Sequence, residues 1–253
     1  MSPFRRYLPL TVVVVLLTAC TGGGGASGEQ SEICDAFLRT EQALARPVSD
    51  TSTWREDVTA ALDGMVTAAP EAIKDTVQQM ADSIEGALAD EGPNVGDRIT
   101  NSDAYKALDQ VADRWRAENC GYDEIAVSAA DYSFSGMPAT LTAGGHAFDL
   151  TNIGQEVHEM VMVRVNDGVT ESAQELLDDD DMASKVTSIT KGVAFPGESN
   201  TAFANLEAGR YLILCTIPIG TNAENFDQVL SGEGGEQAPH YSLGMVSEFK
   251  VEG

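Results

Sequence analysis

The sequence predicts two domains of different class: an all-α domain over residues 31–121 and an all-β sandwich over residues 125–253. Three observations predict this. Apolar residues recur at helical spacing up to about residue 120 and with a period of two from Ile125 onward. Turn signals punctuate the second half at short intervals: Gly136-Met137-Pro138, Gly144-Gly145, Asn152-Ile153-Gly154, Pro196-Gly197 and Ala208-Gly209. Cys34 and Cys120 bracket the helical stretch, as a disulfide closing it would.

The first nineteen residues read as an export signal. Arg5 and Arg6 precede an apolar run, Leu8 to Leu17, and the small residues of Leu17-Thr18-Ala19-Cys20 close it. This last tetrapeptide resembles the bacterial lipobox, which implies a lipid on Cys20. Residues 20–30 then form an anchor and a glycine-rich tether, because Thr21 to Gly28 offer nothing to pack. No other stretch is long and apolar enough to span a bilayer. The expected location is extracytoplasmic, with the membrane reached through the lipid alone.

Four helices are expected in the first domain. Ile33, Ala36, Phe37, Thr40 and Leu44 share one helical face. Trp54, Val58, Leu62 and Met65 share another, behind Thr53-x-x-Glu56, which fits a capping box. Pro70 suits the first turn of a third helix carrying Ile73, Val77, Met80, Ile84 and Leu88. Gly92-Pro93-Asn94 breaks it, and Tyr105, Leu108, Val111 and Trp115 mark a fourth. Short connections make this an up-down bundle. Cys34 and Cys120 then meet at one end of it.

Strands are expected near 125–134, 139–143, 146–151, 157–165, 186–194, 199–206, 209–216 and 242–251. Short strands at this spacing give an antiparallel sandwich. A helix interrupts near Thr170 to Leu177, and Asp178 to Asp181 follow as a solvated acidic loop.

The chemistry concentrates between Gly209 and Val251. Cys215 ends one strand, His240 lies in the loop beyond it, and Met245 falls within the next strand. With His158 upstream, these supply one thiolate, two imidazoles and a thioether, a donor set that suits copper. Cys215 is also the cysteine left over once Cys20 takes lipid and Cys34 pairs with Cys120. His146, at a strand start after two glycines, reads as a surface residue.

Here the residues reach a family. Phe148-x-Leu150-x-Asn152-x-Gly154-x-x-x-His158, Pro196-Gly197, Gly209-x-Tyr211-x-x-x-Cys215-x-x-Pro218 and His240-x-x-x-x-Met245 resemble the cupredoxins, the blue-copper domains of plastocyanin and azurin. The resemblance covers residues 125–253. More closely, the segment is similar to cupredoxin-like modules in bacterial lipoproteins behind a helical domain. It implies a Greek-key sandwich holding one type 1 copper through His158, Cys215 and His240, with Met245 as weak axial ligand. Two features depart from the family. Between Cys215 and His240 lie 24 residues, with a short helix near Glu224 to Leu230. Such a long insert should hold His240 less rigidly. Glu159 stands where the family carries an asparagine that supports the cysteine sulfur; it either lowers the potential of a nearby metal or points into solvent.

The function expected from this is that of a tethered electron carrier. The alternatives are a copper chaperone or scavenger, and a metal-free interaction module. The whole chain has a net charge of −25, and the chain from Cys20 onward loses two arginines and no acid, giving −27. That excludes nucleic acid as a partner. It favours a redox protein, or a copper donor or acceptor, with a basic docking surface. Three histidines are too few for a coupled oxidase centre, and neither His-Glu-x-x-His nor Gly-x-Ser-x-Gly occurs, so no enzyme is expected.

Overall fold

The computed structural model describes residues 28–45, 51–89, 95–233 and 237–253. Cys20, most of the tether and Gly92-Pro93-Asn94 lie outside them. No helix among the described residues is long and apolar enough to cross a membrane.

The helical part consists of α1 (Gly28–Ala45), α2 (Thr51–Ala68), α3 (Lys74–Ala87), α4 (Val95–Thr100) and α5 (Asp103–Asn119). The four long helices bury most of the residues expected on their inner faces in one cluster, with Leu108 and Trp115 packed half-buried against it. Val111 is the exception and faces solvent, on the outer side of α5. α1 lies on α2, α2 on α3 and α3 on α5. Other details differ from expectation. α1 already begins at Gly28, within the stretch assigned to the tether. α2 begins at Thr51, so Thr53 lies inside its first turn and is not its cap. Pro70 to Ile73 form a separate turn, closed by Ile73 N–H on the Pro70 carbonyl at 3.0 Å, before α3 starts. α4 was not expected; it touches both α1 and α5. Cys34 and Cys120 form a disulfide with Cα atoms 5.8 Å apart.

The second part contains β1 (Asp123–Ala130), β2 (Ser133–Ser135), β3 (Thr140–Thr142), β4 (Gly144–Asn152), β5 (His158–Val165), β6 (Val186–Ala194), β7 (Ser199–Leu206), β8 (Gly209–Leu214) and β9 (Val246–Glu252). Short helices α6 (Ala173–Leu177) and α7 (Met182–Lys185) lie between β5 and β6, and α8 (Phe226–Leu230) lies between β8 and β9. One sheet has the order β2-β1-β4-β7 and the other β3-β9-β8-β5-β6. The pairing is mixed, not wholly antiparallel: β1 runs parallel to β4, and β3 parallel to β9. Periodicity reports which side chains alternate, not which neighbour a strand takes, so it could not reveal this.

Alternation decides what faces the space between the sheets. Met160 and Met162 of β5, Tyr211 and Ile213 of β8, and Cys215 just beyond it all enter the main core with Phe148, Leu150 and Phe249. Val163, Val165, Leu212 and Leu214 point the other way and are covered by Leu176 of α6. The ligand side of β5 and β8 is therefore the core side, a point that spacing alone left open. The acidic run is bound up locally. Asp179 pairs with Lys185 at 2.6 Å and Asp181 accepts from the Ser184 hydroxyl at 2.7 Å, both at α7.

The two parts meet along β4, β6 and β7. Arg116 of α5 is fully buried, pairs with Glu41 of α1, and lays its guanidinium 3.7 Å from the centre of the Phe203 ring on β7. Tyr122 stacks obliquely on the same ring, with centroids 5.1 Å apart.

Candidate metal centre

His158 opens β5, Cys215 follows β8, and His240 begins a single 3-10 turn, His240–Leu243, that precedes β9. All three are completely buried. One ligating atom from each lies within 4.8 Å of the others. His158 Nδ1 stands 3.1 Å from His240 Nδ1, and Cys215 Sγ stands 3.3 Å from His240 Nδ1. Met245 is also fully buried, in the same core. Its carbonyl accepts from Cys215 N–H at 3.2 Å, and its N–H donates to the His240 carbonyl at 3.3 Å.

The turn before β5 explains the Asn152-x-Gly154 pattern. Buried Asn152 donates to the carbonyls of Glu156 and Ala194, each at 2.8 Å, and accepts from Gly154 N–H at 2.8 Å. It therefore fixes the path into His158. Gly154 is needed for close approach. A Cβ there would stand 2.4 Å from Asp131 Oδ1 and 2.8 Å from His158 Nε2, wedging the two apart.

Each imidazole has a carboxylate behind it. His158 Nε2 lies 3.1 Å from Asp131 Oδ1, and His240 Nε2 lies 2.9 Å from Glu156 Oε2. Partial burial acts against ionising these acids, but their hydrogen bonds prevail. Asp131 accepts from the N–H groups of Gln155 and Glu156 as well as from His158, which holds it below its ordinary value. Glu156 accepts from Tyr132, Gly220 and His240, with the same result. Ionised acceptors place each ring proton on Nε2. Both Nδ1 lone pairs then point at one another beside a sulfur. Burial lowers the basicity of His158, so an imidazolium is a poor bridge between them. A bound cation satisfies all three donors, and the carboxylate–histidine arrangement is the one that orients metal ligands. The residues present fit one copper ion.

The thiol fits as well. Burial, with the charge of Glu159 adding to it, pushes Cys215 far above its usual value, so the free thiol keeps its proton. A soft metal would displace that proton.

Of the two alternatives for Glu159, the solvent-facing one is excluded: it is buried, and its carboxylate accepts from the backbone N–H of Thr216 at 3.0 Å and from the Thr216 hydroxyl. The backbone N–H of Glu159, not a side-chain amide, reaches Cys215 Sγ, at 3.4 Å. His146 is another correction: it is buried, with Nε2 on the Thr142 carbonyl at 2.9 Å, because β4 is covered on both sides at that point.

The insert after Cys215 does not leave His240 loose. Its two ends pair with each other like a hairpin neck. Tyr241 N–H reaches the Cys215 carbonyl at 3.0 Å, His240 N–H the Ile217 carbonyl at 2.9 Å, and Ile219 N–H the Ala238 carbonyl at 2.9 Å. Only the residues beyond this neck are an excursion, and α8 anchors them through Phe226, which is buried against Phe195 with ring centroids 5.1 Å apart.

Asp131, Tyr132 and Glu156 were missed as site residues in the sequence. Asp131 and Tyr132 fall in the middle of the expected strand 125–134, which instead breaks there; Tyr132 has φ 66°, the left-handed region. Glu156 had a usable signal: alternation places it on the same face as His158.

No family model matches the chain, and no curated protein matches it. Solved structures do. Auracyanin B is 19% identical over 52% of this chain and 89% of its own, with a TM-score of 0.34. Auracyanin from Roseiflexus castenholzii is 18% identical over 51% of this chain and 97% of its own, also at 0.34. A multi-copper oxidase from Pediococcus acidilactici is 10% identical over 52% of this chain and 26% of its own, at 0.27.

Proposed function

We propose that this chain is a copper-binding electron carrier of cupredoxin type, built as a Greek-key sandwich behind a helical bundle and tethered outside the cytoplasm through lipidated Cys20. His158, Cys215 and His240 would hold the copper, and the Met245 thioether would be a weak further donor. The observation that carries the reading is the pair of imidazoles whose Nδ1 atoms face each other 3.1 Å apart beside a buried thiol, each backed by a carboxylate.

Copper at this donor set supplies a one-electron couple between Cu(I) and Cu(II). The chain's residues do the rest. Asp131 and Glu156 hold the imidazoles in one tautomer, and the N–H of Glu159 steadies the sulfur. β5, β8 and the insert neck keep the three donors in place in either oxidation state, which keeps reorganisation small. The neck also favours a carrier over a chaperone, because the ligand loop is not free to exchange metal. The partner that suits so acidic a chain is a redox protein with a basic docking surface.

Voltammetry of the copper-loaded chain tests this. A reversible one-electron wave, with one copper per chain retained through repeated cycles, is expected. Loss of copper on reduction would instead mark a metal-handling protein.

A further inference from the structure

Glu156 does more than face His240. Its Oε2 accepts from His240 Nε2 at 2.9 Å and from Gly220 N–H at 2.5 Å, while Oε1 accepts from the Tyr132 hydroxyl at 2.7 Å. The carboxylate thus joins three separate segments: the turn before β5, the neck of the insert, and the turn between β1 and β2. Its own backbone is fixed too. The Glu156 carbonyl accepts from Asn152 at 2.8 Å, and its N–H donates to Asp131 Oδ1 at 3.2 Å. The Tyr132 ring meets the His240 ring edge-on, with centroids 5.2 Å apart, and so closes the same side.

We propose that Glu156 is the positioning residue of this centre, resting on the copper reading above for what is positioned. It locks His240 with the proton on Nε2, aims Nδ1 at Cys215 and His158, and clamps the insert neck against β5. The long insert demands such a residue. A neck held only by its own backbone bonds fixes the His240 main chain but not the rotation of its ring; a side-chain acceptor beyond the ring does. Glutamate suits the role because one carboxylate takes three donors at once. Glutamine keeps the acceptor for His240 and Gly220 while turning its amide toward Tyr132, whose hydroxyl can accept. Aspartate keeps the charge but falls one methylene short.

The test separates this proposal from the copper reading. In the metal-free full-length chain, nitrogen NMR of the His240 ring should show Nε2 protonated and Nδ1 bare. Glu156→Ala and Glu156→Asp should lose that single tautomer, and Glu156→Gln should keep it. A wild-type tautomer in both Glu156→Ala and Glu156→Asp would overturn the proposal. With copper loaded, and metal loss to a Cu(I)-specific chelator followed, Glu156→Ala should bind about 10–100-fold more weakly. Glu156→Gln should stay close to wild type. Copper affinity in Glu156→Ala equal to wild type would also overturn the proposal. A wild-type chain that takes no copper but shows the tautomer pattern overturns the copper reading and supports the positioning role. Circular dichroism confirms that each variant folds, and Glu156→Asp carries the test if Glu156→Ala does not.

Discussion

Gly154 is the residue at which local geometry and metal chemistry meet most closely. Its missing side chain lets Asp131 reach His158, so Gly154→Ala should push Asp131 off Nε2 and free the ring to take either tautomer. Copper affinity should then fall by about 10-fold or more, measured by chelator competition; an affinity within a factor of two of wild type would contradict the role given to Asp131. Met245→Leu should keep the colour of a loaded site and raise its potential, because a weak donor to Cu(II) is lost. A lowered potential would place the thioether elsewhere. That His158, Cys215 and His240 belong together was legible in the sequence because histidines and cysteines are few and fall in a recognisable order. Asp131 left no signal, and the alternation that puts Glu156 on the His158 face did not by itself mark it as a partner of His240. Acidic residues number 40 here, and only folding shows which two stand behind the imidazoles. The support of the sulfur was hidden for a related reason: it comes from the backbone N–H of Glu159, and a sequence does not show backbone direction.

At the scale of elements, the insert is where sequence and structure part most clearly. Its glycine, asparagine and glutamate content reads as a loose loop, and the composition does describe the excursion. The pairing that matters lies in the flanks, Cys215 to Gly220 against Ala238 to Tyr241, where the apolar pattern is too short to register as strands. Phe226 ties the excursion itself into the core. Phe226→Ala should cost about 3–5 kcal/mol in chemical denaturation, whereas an insert that merely covers the surface would lose less than about 1 kcal/mol. Strand positions were read well because burial on one face imposes a strict period of two. Parallel pairing of β1 with β4 and β3 with β9 was not, since it depends on crossovers that leave no local trace.

The whole molecule is held together by a disulfide within the helices and by a buried polar seam between helices and sandwich. The Cys34–Cys120 pair closes a wide loop. Replacing both cysteines by serine should lower stability by roughly 4 kcal/mol while leaving a copper spectrum unchanged, because the metal centre lies in the other part. A changed spectrum would show that the helices shape the site. At the seam, burial raises Asp113 and Asp109 above the ordinary carboxylate value of 3.8; the charge of Glu41 adds to this, and Arg116 opposes it. The sign follows. The folded chain keeps protons that the unfolded chain has released, so these two groups make stability fall as pH rises from about 4 toward their raised values. Asp113→Asn should flatten that slope relative to wild type between pH 4.5 and 8 in thermal melts. An unchanged slope would remove Asp113 from the account. The presence of the two parts was visible in the change of period near residue 120. Their docking through Arg116, Phe37 and Phe203 was not, since an arginine on a helix reads as a solvated charge until its aromatic neighbours are placed.

The central claim is that His158, Cys215 and His240 hold one copper ion through a thiolate. The most direct measurement is the absorption and electron paramagnetic resonance spectrum of the Cu(II)-loaded chain beside that of Cys215→Ser. The account predicts an intense thiolate-to-copper band and narrow hyperfine splitting at one copper per chain, both absent from a Cys215→Ser protein that still folds as a sandwich. A wild-type chain without the band, or a Cys215→Ser chain with an unchanged copper spectrum, would contradict it.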